Sequence, residues 1–525
     1  MRQISLVFAI LLFAQIAGAQ EGTPLYIPKE IKNAIKKGTR TSFGMTGPEY
    51  FQNRSDYKIV AEFNPKTGVL KGKEKISYTN NSPDTLKSIH FHLFQDIFKK
   101  GNRRDFDLGE RDVNSGVTIH SLSINGMQFD MSEILVSRSN SLLNIALEDN
   151  IEPKSKIDIE IEWEFTVAEF TPVRMGKYGE DNFMMAYWYP KIVVYDDIFG
   201  WNTTGYSGAA EFYHDFGNYD VELTVPNDYQ IWATATLTNP NEVYTDAILE
   251  KIEFAKKSTV VSHIITSEDR KNFSIPKNNN TTNVWKFKSE HMPDFAFAVS
   301  KSYLWDGVRA ENGTSEGVFV SAVYKESSHD FPEVCEISKN VVEFFSEISP
   351  KISYPYSQLT AFNGNGGMEF PGMINDGDMP NHNSTLYVTA HEIGHSYFPF
   401  ALGLNEQKYA WMDEGLISFL PRLFENKYTK TSDYNAFTSL IEAYNNTAGS
   451  FYDVPPVMLS EVVTGQYPAY RFHAYTRSGT AFYLLSNEIG TAKFNAGLKL
   501  FAERWSGKHP TPYDLLACFE DAAGE

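Results

Sequence analysis

The chain has 525 residues, of which 42% are hydrophobic, 14% aromatic and 22% charged. That composition excludes an intrinsically disordered chain, and the length exceeds one ordinary domain, so two or three are expected. The formal net charge of −19 argues against a nucleic-acid partner, which needs a basic footprint.

The sequence opens MRQISLVFAILLFAQIAGAQ. Arg2 supplies a positive start, residues 4–16 are apolar apart from Ser5 and Gln15, and Ala17-Gly18-Ala19 makes an A-x-A site. This is the pattern of a signal peptide over residues 1–19, cleaved before Gln20, and it implies export to the periplasm or the exterior. No later stretch reaches about 18 apolar residues, so no membrane span is expected. The two cysteines, Cys335 and Cys518, lack metal-site spacing, and the sequence leaves open whether they pair.

Residues 45–303 are expected to form an N-terminal β-domain. Ile157, Ile159, Ile161, Trp163 and Phe165 alternate with polar residues, as do Tyr219, Val221, Leu223 and Val225. Turn signals such as Asn64-Pro65 and Asn239-Pro240 separate the runs. Many short strands with polar turns predict an antiparallel sandwich or saddle. His90 and His92 share one strand with no visible third ligand, and a solvent face is expected for them. The sequons at Asn202 and Asn312 are short patterns that decide nothing alone.

From residue 304 to 525 the period changes. Val334, Ile337, Val341, Phe344 and Ile348 recur every three to four residues, which predicts an amphipathic helix. Further on, HEIGH places His391 and His395 four apart on a second helix, with Ser384 as its expected N-cap and Pro399 as its stop. Four residues advance about 400°, so both imidazoles lie on one face and a zinc ion could join them. Glu392 lies about 100° round from His391 and can reach a metal-bound water without ligating. Glu414 lies nineteen positions after His395. A turn around 402–407 would let a helix beginning near Tyr409 bring it back as third ligand. Asp413 is expected either to support the site or to be a surface charge. Asp376 and Asp378 are expected on a solvated loop.

The HExxH string, eighteen residues and a glutamate resemble the signature of the M1 family of zinc aminopeptidases, within the gluzincin class. The stretch Gly366-Gly367-Met368-Glu369-Phe370 resembles the family's GxMEN strand, and YTRSGTAFYLLSNEIG, from Tyr475, resembles its tyrosine-led helix more loosely. The likeness covers about residues 55–525. It implies a multidomain α+β fold: an N-terminal antiparallel β-sandwich or saddle, then a thermolysin-like, mainly α-helical catalytic domain. It also implies one Zn2+ ion on His391, His395 and Glu414, with Glu392 as general base and Tyr475 as transition-state donor, Tyr470 being its competitor. Glu369 would capture the substrate's α-amine, with Gly366, Gly367 and Met368 beside the substrate. A bacterial, exported member is expected, acting on peptides with a free N-terminus.

Two departures stand out. Many members carry a Q-x-E or Q-x-Q pair in the N-terminal domain. The comparable region here, Met184 to Asn202, has none, and its aromatics either line the pocket or pack a β-edge. Family members also typically continue into a C-terminal helical domain, expected to be absent or truncated here. Endopeptidase activity and a catalytically inactive binding protein remain the alternatives. The preferred first residue, the physiological substrate and the oligomeric state are left open by the sequence.

Overall fold

The computed structural model describes residues 26–132, 134–456 and 458–524. The expected signal peptide, residues 1–19, lies outside the described residues.

Strict alternation builds the large sheet of the N-terminal domain. In the strand Arg54–Asn64, Tyr57, Ile59, Ala61 and Phe63 are buried while Lys58, Val60 and Glu62 face out. Lys156–Thr166 repeats the pattern from Ile157 to Phe165. Eight strands result, in the order Thr236–Leu237, Thr282–Met292, Gly217–Pro226, Arg54–Asn64, Val69–Thr79, Lys156–Thr166, Thr118–Ile124 and Met127–Gln128. All neighbours are antiparallel except Arg54–Asn64 and Gly217–Pro226, which run parallel. A parallel pair needs a long crossover, and residues 65–216 supply it. Two four-stranded sheets belong to the same core. Trp163 of the large sheet meets Trp188 with ring centroids 5.7 Å apart, and Trp188 meets Phe297 at 5.2 Å. Glu74 stands on the apolar face of the large sheet with neither carboxylate oxygen hydrogen-bonded, and burial raises its pKa well above the usual range.

The strand Leu86–His92 corrects one expectation. His92 is buried and stacks on Phe94 with centroids 4.6 Å apart, and His90 is half-buried, its Nδ1 2.7 Å from Asn144 Oδ1. Neighbouring aromatic segments cover the face that the strand pattern left to solvent. Asn202 and Asn312 are buried as well, so neither sequon asparagine is exposed.

The second domain opens with a sheet rather than with helices. Its order is Ser262–Ile265, Leu304–Ala310, Val318–Tyr324, Gln358–Asn363, Met373–Asp376 and Met368–Phe370. Ser262–Ile265 is lent by the preceding segment. The helix Phe331–Glu347 buries Val334, Ile337, Val341 and Phe344 on this sheet, whereas Ile348, just past its end, is exposed. Helices follow to Ala523. Cys335 and Cys518 are both buried and free. Among the described residues no helix is long and apolar enough to cross a membrane.

Residues 40–44 meet the last helices and the N-terminal domain together. Arg40 pairs with Asp197 and with Asp514, each at 2.8 Å, and Trp505 Nε1 donates to the Gly44 carbonyl at 2.9 Å.

Candidate metal centre

The helix carrying the two histidines spans His382–Gly394. Its N-cap is Asn381, whose side chain accepts from the Ser384 N–H at 3.1 Å, so the helix begins earlier than a Ser384 cap would allow. It ends at Gly394, with His395 as helical C-cap, and Pro399 lies in the wide turn Ser396–Phe400 that follows. His391 and His395 keep one face, ring centroids 4.9 Å apart. The next helix, Glu406–Tyr428, is capped by the Asn405 side chain and leaves helical geometry at Tyr409, so its regular part starts at Ala410. It returns beside the first and presents Asp413 and Glu414.

Oε2 of Glu414 lies 3.4 Å from His391 Nε2 and 3.7 Å from His395 Nε2. The other ring nitrogens are engaged: His391 Nδ1 donates to the Ile417 carbonyl at 3.0 Å and His395 Nδ1 to Asp413 Oδ1 at 2.8 Å. Both Nε2 lone pairs are therefore left to face Glu414. Glu414 Oε2 is buried without a hydrogen-bond partner. Burial, then His395, lowers the pKa of His391 to about 3, which keeps it neutral and able to ligate. Burial, then Glu211, raises Glu414 to about 8. Two imidazoles whose Nε2 atoms face Glu414, and a glutamate with an orphaned oxygen, are a donor set that zinc satisfies.

Residues 337–525 match the model of the peptidase family M1 domain. That segment is therefore similar to the peptidase family M1 domain. No curated protein matches the sequence. Among solved structures, a glutamate-to-alanine mutant of the M1 zinc metallopeptidase from Deinococcus radiodurans is 12% identical, with a TM-score of 0.58 over 92% of this chain and 95% of that one. The same mutant bound to a Tyr-Ser-Ala substrate gives 12% and 0.57 over 92% and 95%. A two-domain M1 zinc metallopeptidase mutant bound to L-arginine gives 13% and 0.57, again over 92% and 95%. At these identities the likeness establishes the shared two-domain fold.

Around this donor set stand the remaining expected residues. Glu392 is buried, and it, Glu369 and His395 offer donor atoms within 4.8 Å of one another. Burial, then Glu369 and Asp376, pushes the Glu392 carboxyl well up. Gly366 and Gly367 have φ of 84° and 73°, a conformation glycine adopts without strain. They lead into Met368–Phe370, the edge strand of the sheet, whose one neighbour is Met373–Asp376. Glu369 is buried, and burial raises its pKa to about 8.

Tyr475 sits in the turn Phe472–Arg477, ahead of the helix Ser478–Ile489. Its ring lies nearly parallel to that of His391, centroids 6.4 Å apart. Burial, then the carboxylates of Glu414 and Glu211, holds its hydroxyl protonated. Tyr470 lies beside it, its hydroxyl buried and unpartnered. Both tyrosines line a cavity of about 640 Å³ with Gly366, Gly367 and Met368.

Asp376 corrects another expectation. It is buried at the end of its strand and accepts from Thr389 Oγ1 at 3.1 Å. Asp378 belongs to a rim network with Ser328 and Asn363.

Glu211 is the residue that motif reading missed. The stretch Met184 to Tyr189 is packed core, and Tyr187 stacks on Phe212 with centroids 3.7 Å apart. The carboxylate that the N-terminal domain brings to the centre is instead Glu211, within 4.8 Å of Asp413 and Glu414 donor atoms. A faint signal was present: Gly208-Ala209-Ala210 is a run of small residues before an acid, as a close backbone approach requires.

Proposed function

We propose that the protein is a zinc-dependent aminopeptidase that hydrolyses the first peptide bond of peptides with a free N-terminus. The observation that carries this reading is the pair of buried carboxylates, Glu369 and Glu211, on the substrate side of the His391–His395–Glu414 donor set. Glu369 forms no ion pair among the described residues, and Glu211 keeps one buried oxygen without a partner, so the two are suited to receive a cation from a ligand. An α-ammonium held there brings the first carbonyl to the donor set.

His391, His395 and Glu414 would hold one zinc ion, which when bound polarises a carbonyl and activates water at neutral pH. Glu392, free of any ligand role in this arrangement, takes the proton from the attacking water and passes it to the leaving amine. Tyr475 donates its hydroxyl hydrogen to the oxygen on which charge develops. The free side of the edge strand Met368–Phe370 offers backbone groups to an extended peptide.

The test offers one peptide to the zinc-loaded protein in two forms, with a free and with an acetylated N-terminus, and reads products by mass spectrometry. Stepwise loss of first residues from the free form alone is expected. Internal cuts in both forms would replace this reading with an endopeptidase, and no cleavage with zinc bound would replace it with a binding protein.

A further inference from the structure

Among the described residues Arg174 is the arginine buried beside these carboxylates, and its donors are fully committed. Nη1 pairs with Glu211 Oε1 at 2.5 Å and lies 3.1 Å from Met368 Sδ. Nε donates to the Tyr206 hydroxyl at 3.0 Å, and Nη2 donates to the carbonyls of Gly208 and Ala209 at 3.2 and 3.1 Å. A guanidinium has five N–H donors in a fixed fork, and here each has a partner. Arg174 itself has a φ of 62°, unusual for a residue with a side chain. The loop that receives it is shaped to match. Gly208 has a φ of 120°, and a Cβ there would come within 2.6 Å of the Phe106 ring.

We propose that Arg174 is a positioning residue for the amine site, a clamp that sets Glu211 of the N-terminal domain opposite Glu369 of the M1 domain. The proposal rests on the aminopeptidase reading. One side chain touches both supports: Glu211 directly, and Met368, the residue before Glu369 on the edge strand. It leaves Glu211 Oε2 buried and unpartnered, an acceptor still free for a ligand. It also balances charge. Glu211 and Glu369 repel one another when the site is empty of cations, and Arg174 neutralises one of them. The substrate's ammonium then meets the other, so two cations face two carboxylates when the peptide is bound. A lysine carries the charge but not the fork.

The test uses zinc-loaded full-length protein and a peptide with a free and an acetylated N-terminus. Arg174→Met is expected to raise KM for the free peptide about tenfold or more, the cost of one mispositioned charge-assisted contact, with a much smaller change in kcat. Arg174→Lys preserves charge and most of the volume, folds, and is expected to raise KM about threefold or more. Combining Arg174→Met with Glu211→Gln should give less than the product of the two single effects, because the direct contact of Arg174 is with that carboxylate. Wild-type KM in both Arg174 variants, multiplying effects in the double variant, or a fall in kcat with zinc loss in Arg174→Lys would overturn the clamp. If wild-type protein cleaves both peptide forms equally, the aminopeptidase reading fails and the clamp with it. If wild type discriminates and the Arg174 variants match it, only the clamp fails.

Discussion

Nδ1 of His395 donates to Oδ1 of Asp413 at 2.8 Å, with both side chains buried. The bond holds the ring so that Nε2 faces Glu414. Outer partners of this kind typically control metal affinity by about 10–100-fold. Asp413→Ala is therefore expected to weaken zinc binding by that factor while the fold survives. Competition against a chromogenic chelator measures it. Unchanged affinity would mean that packing between the two helices orients His395 without the carboxylate.

Glu392 has a different expected signature. It is buried beside the donor set but holds no place among His391, His395 and Glu414. Glu392→Gln preserves shape and removes the proposed base. The turnover number should fall by about 10²–10⁴-fold, the usual worth of a positioned general base, at full zinc occupancy. Metal analysis beside the rate assay separates this from ligand loss, and near wild-type turnover would assign the proton transfer elsewhere.

The two tyrosines can be told apart by the same split. Tyr475 lies against His391, whereas the Tyr470 hydroxyl has no partner. Tyr475→Phe should lower kcat by about 10²–10³-fold with little change in KM, as for a donor that acts on developing charge. Tyr470→Phe should lose much less. The opposite order in kcat would transfer the role to Tyr470.

How far such a site is legible in sequence depends on what fixes each residue. His391, His395 and Glu414 follow from helical period and one helical return, so local geometry nearly determines them. Glu211 does not follow, because its place is set by docking of two domains and by Arg174, both long-range in the chain. The string Asn375-Asp376-Gly377-Asp378 reads as a loop, yet Asp376 is buried against Thr389 of the histidine-bearing helix. Val318–Tyr324 is apolar on both faces, and such a run carries no period to distinguish strand from helix. The opening sheet of the second domain was hidden for that reason. The alternating strands of the first domain were legible because one face of their sheet meets solvent.

Glu74 gives a stability prediction away from the site. Its carboxylate is buried among apolar neighbours with no hydrogen bond, and its pKa is raised. The unfolded chain ionises it above about pH 4.5, while the folded chain keeps it neutral, so its presence costs stability as pH rises from there. Glu74→Met is close in volume and removes the unmet group. A gain of about 1–3 kcal/mol at neutral pH is expected, read from chemical denaturation, and it should shrink towards pH 4. A loss at neutral pH would mean that a partner satisfies the carboxylate.

His509 acts in the opposite sense and across the domain junction. Nδ1 lies 3.0 Å from the Gly403 carbonyl and Nε2 lies 3.2 Å from Asp215 Oδ1 in the N-terminal domain. Burial alone would lower its pKa, but the hydrogen bond and charge of Asp215 outweigh burial and raise it. With both nitrogens donating, the imidazolium is the form the fold selects. A histidine whose folded pKa is raised contributes stability fully below its unfolded value, about 6.5, and loses it as pH climbs through the folded value. The melting temperature of wild type minus that of His509→Gln should thus be largest near pH 6 and decline steadily above about pH 6.5. Taking the difference cancels other titrating groups. A difference that stays constant across that range would show that His509 is neutral in the folded protein and that Asp215 serves only as a hydrogen-bond acceptor.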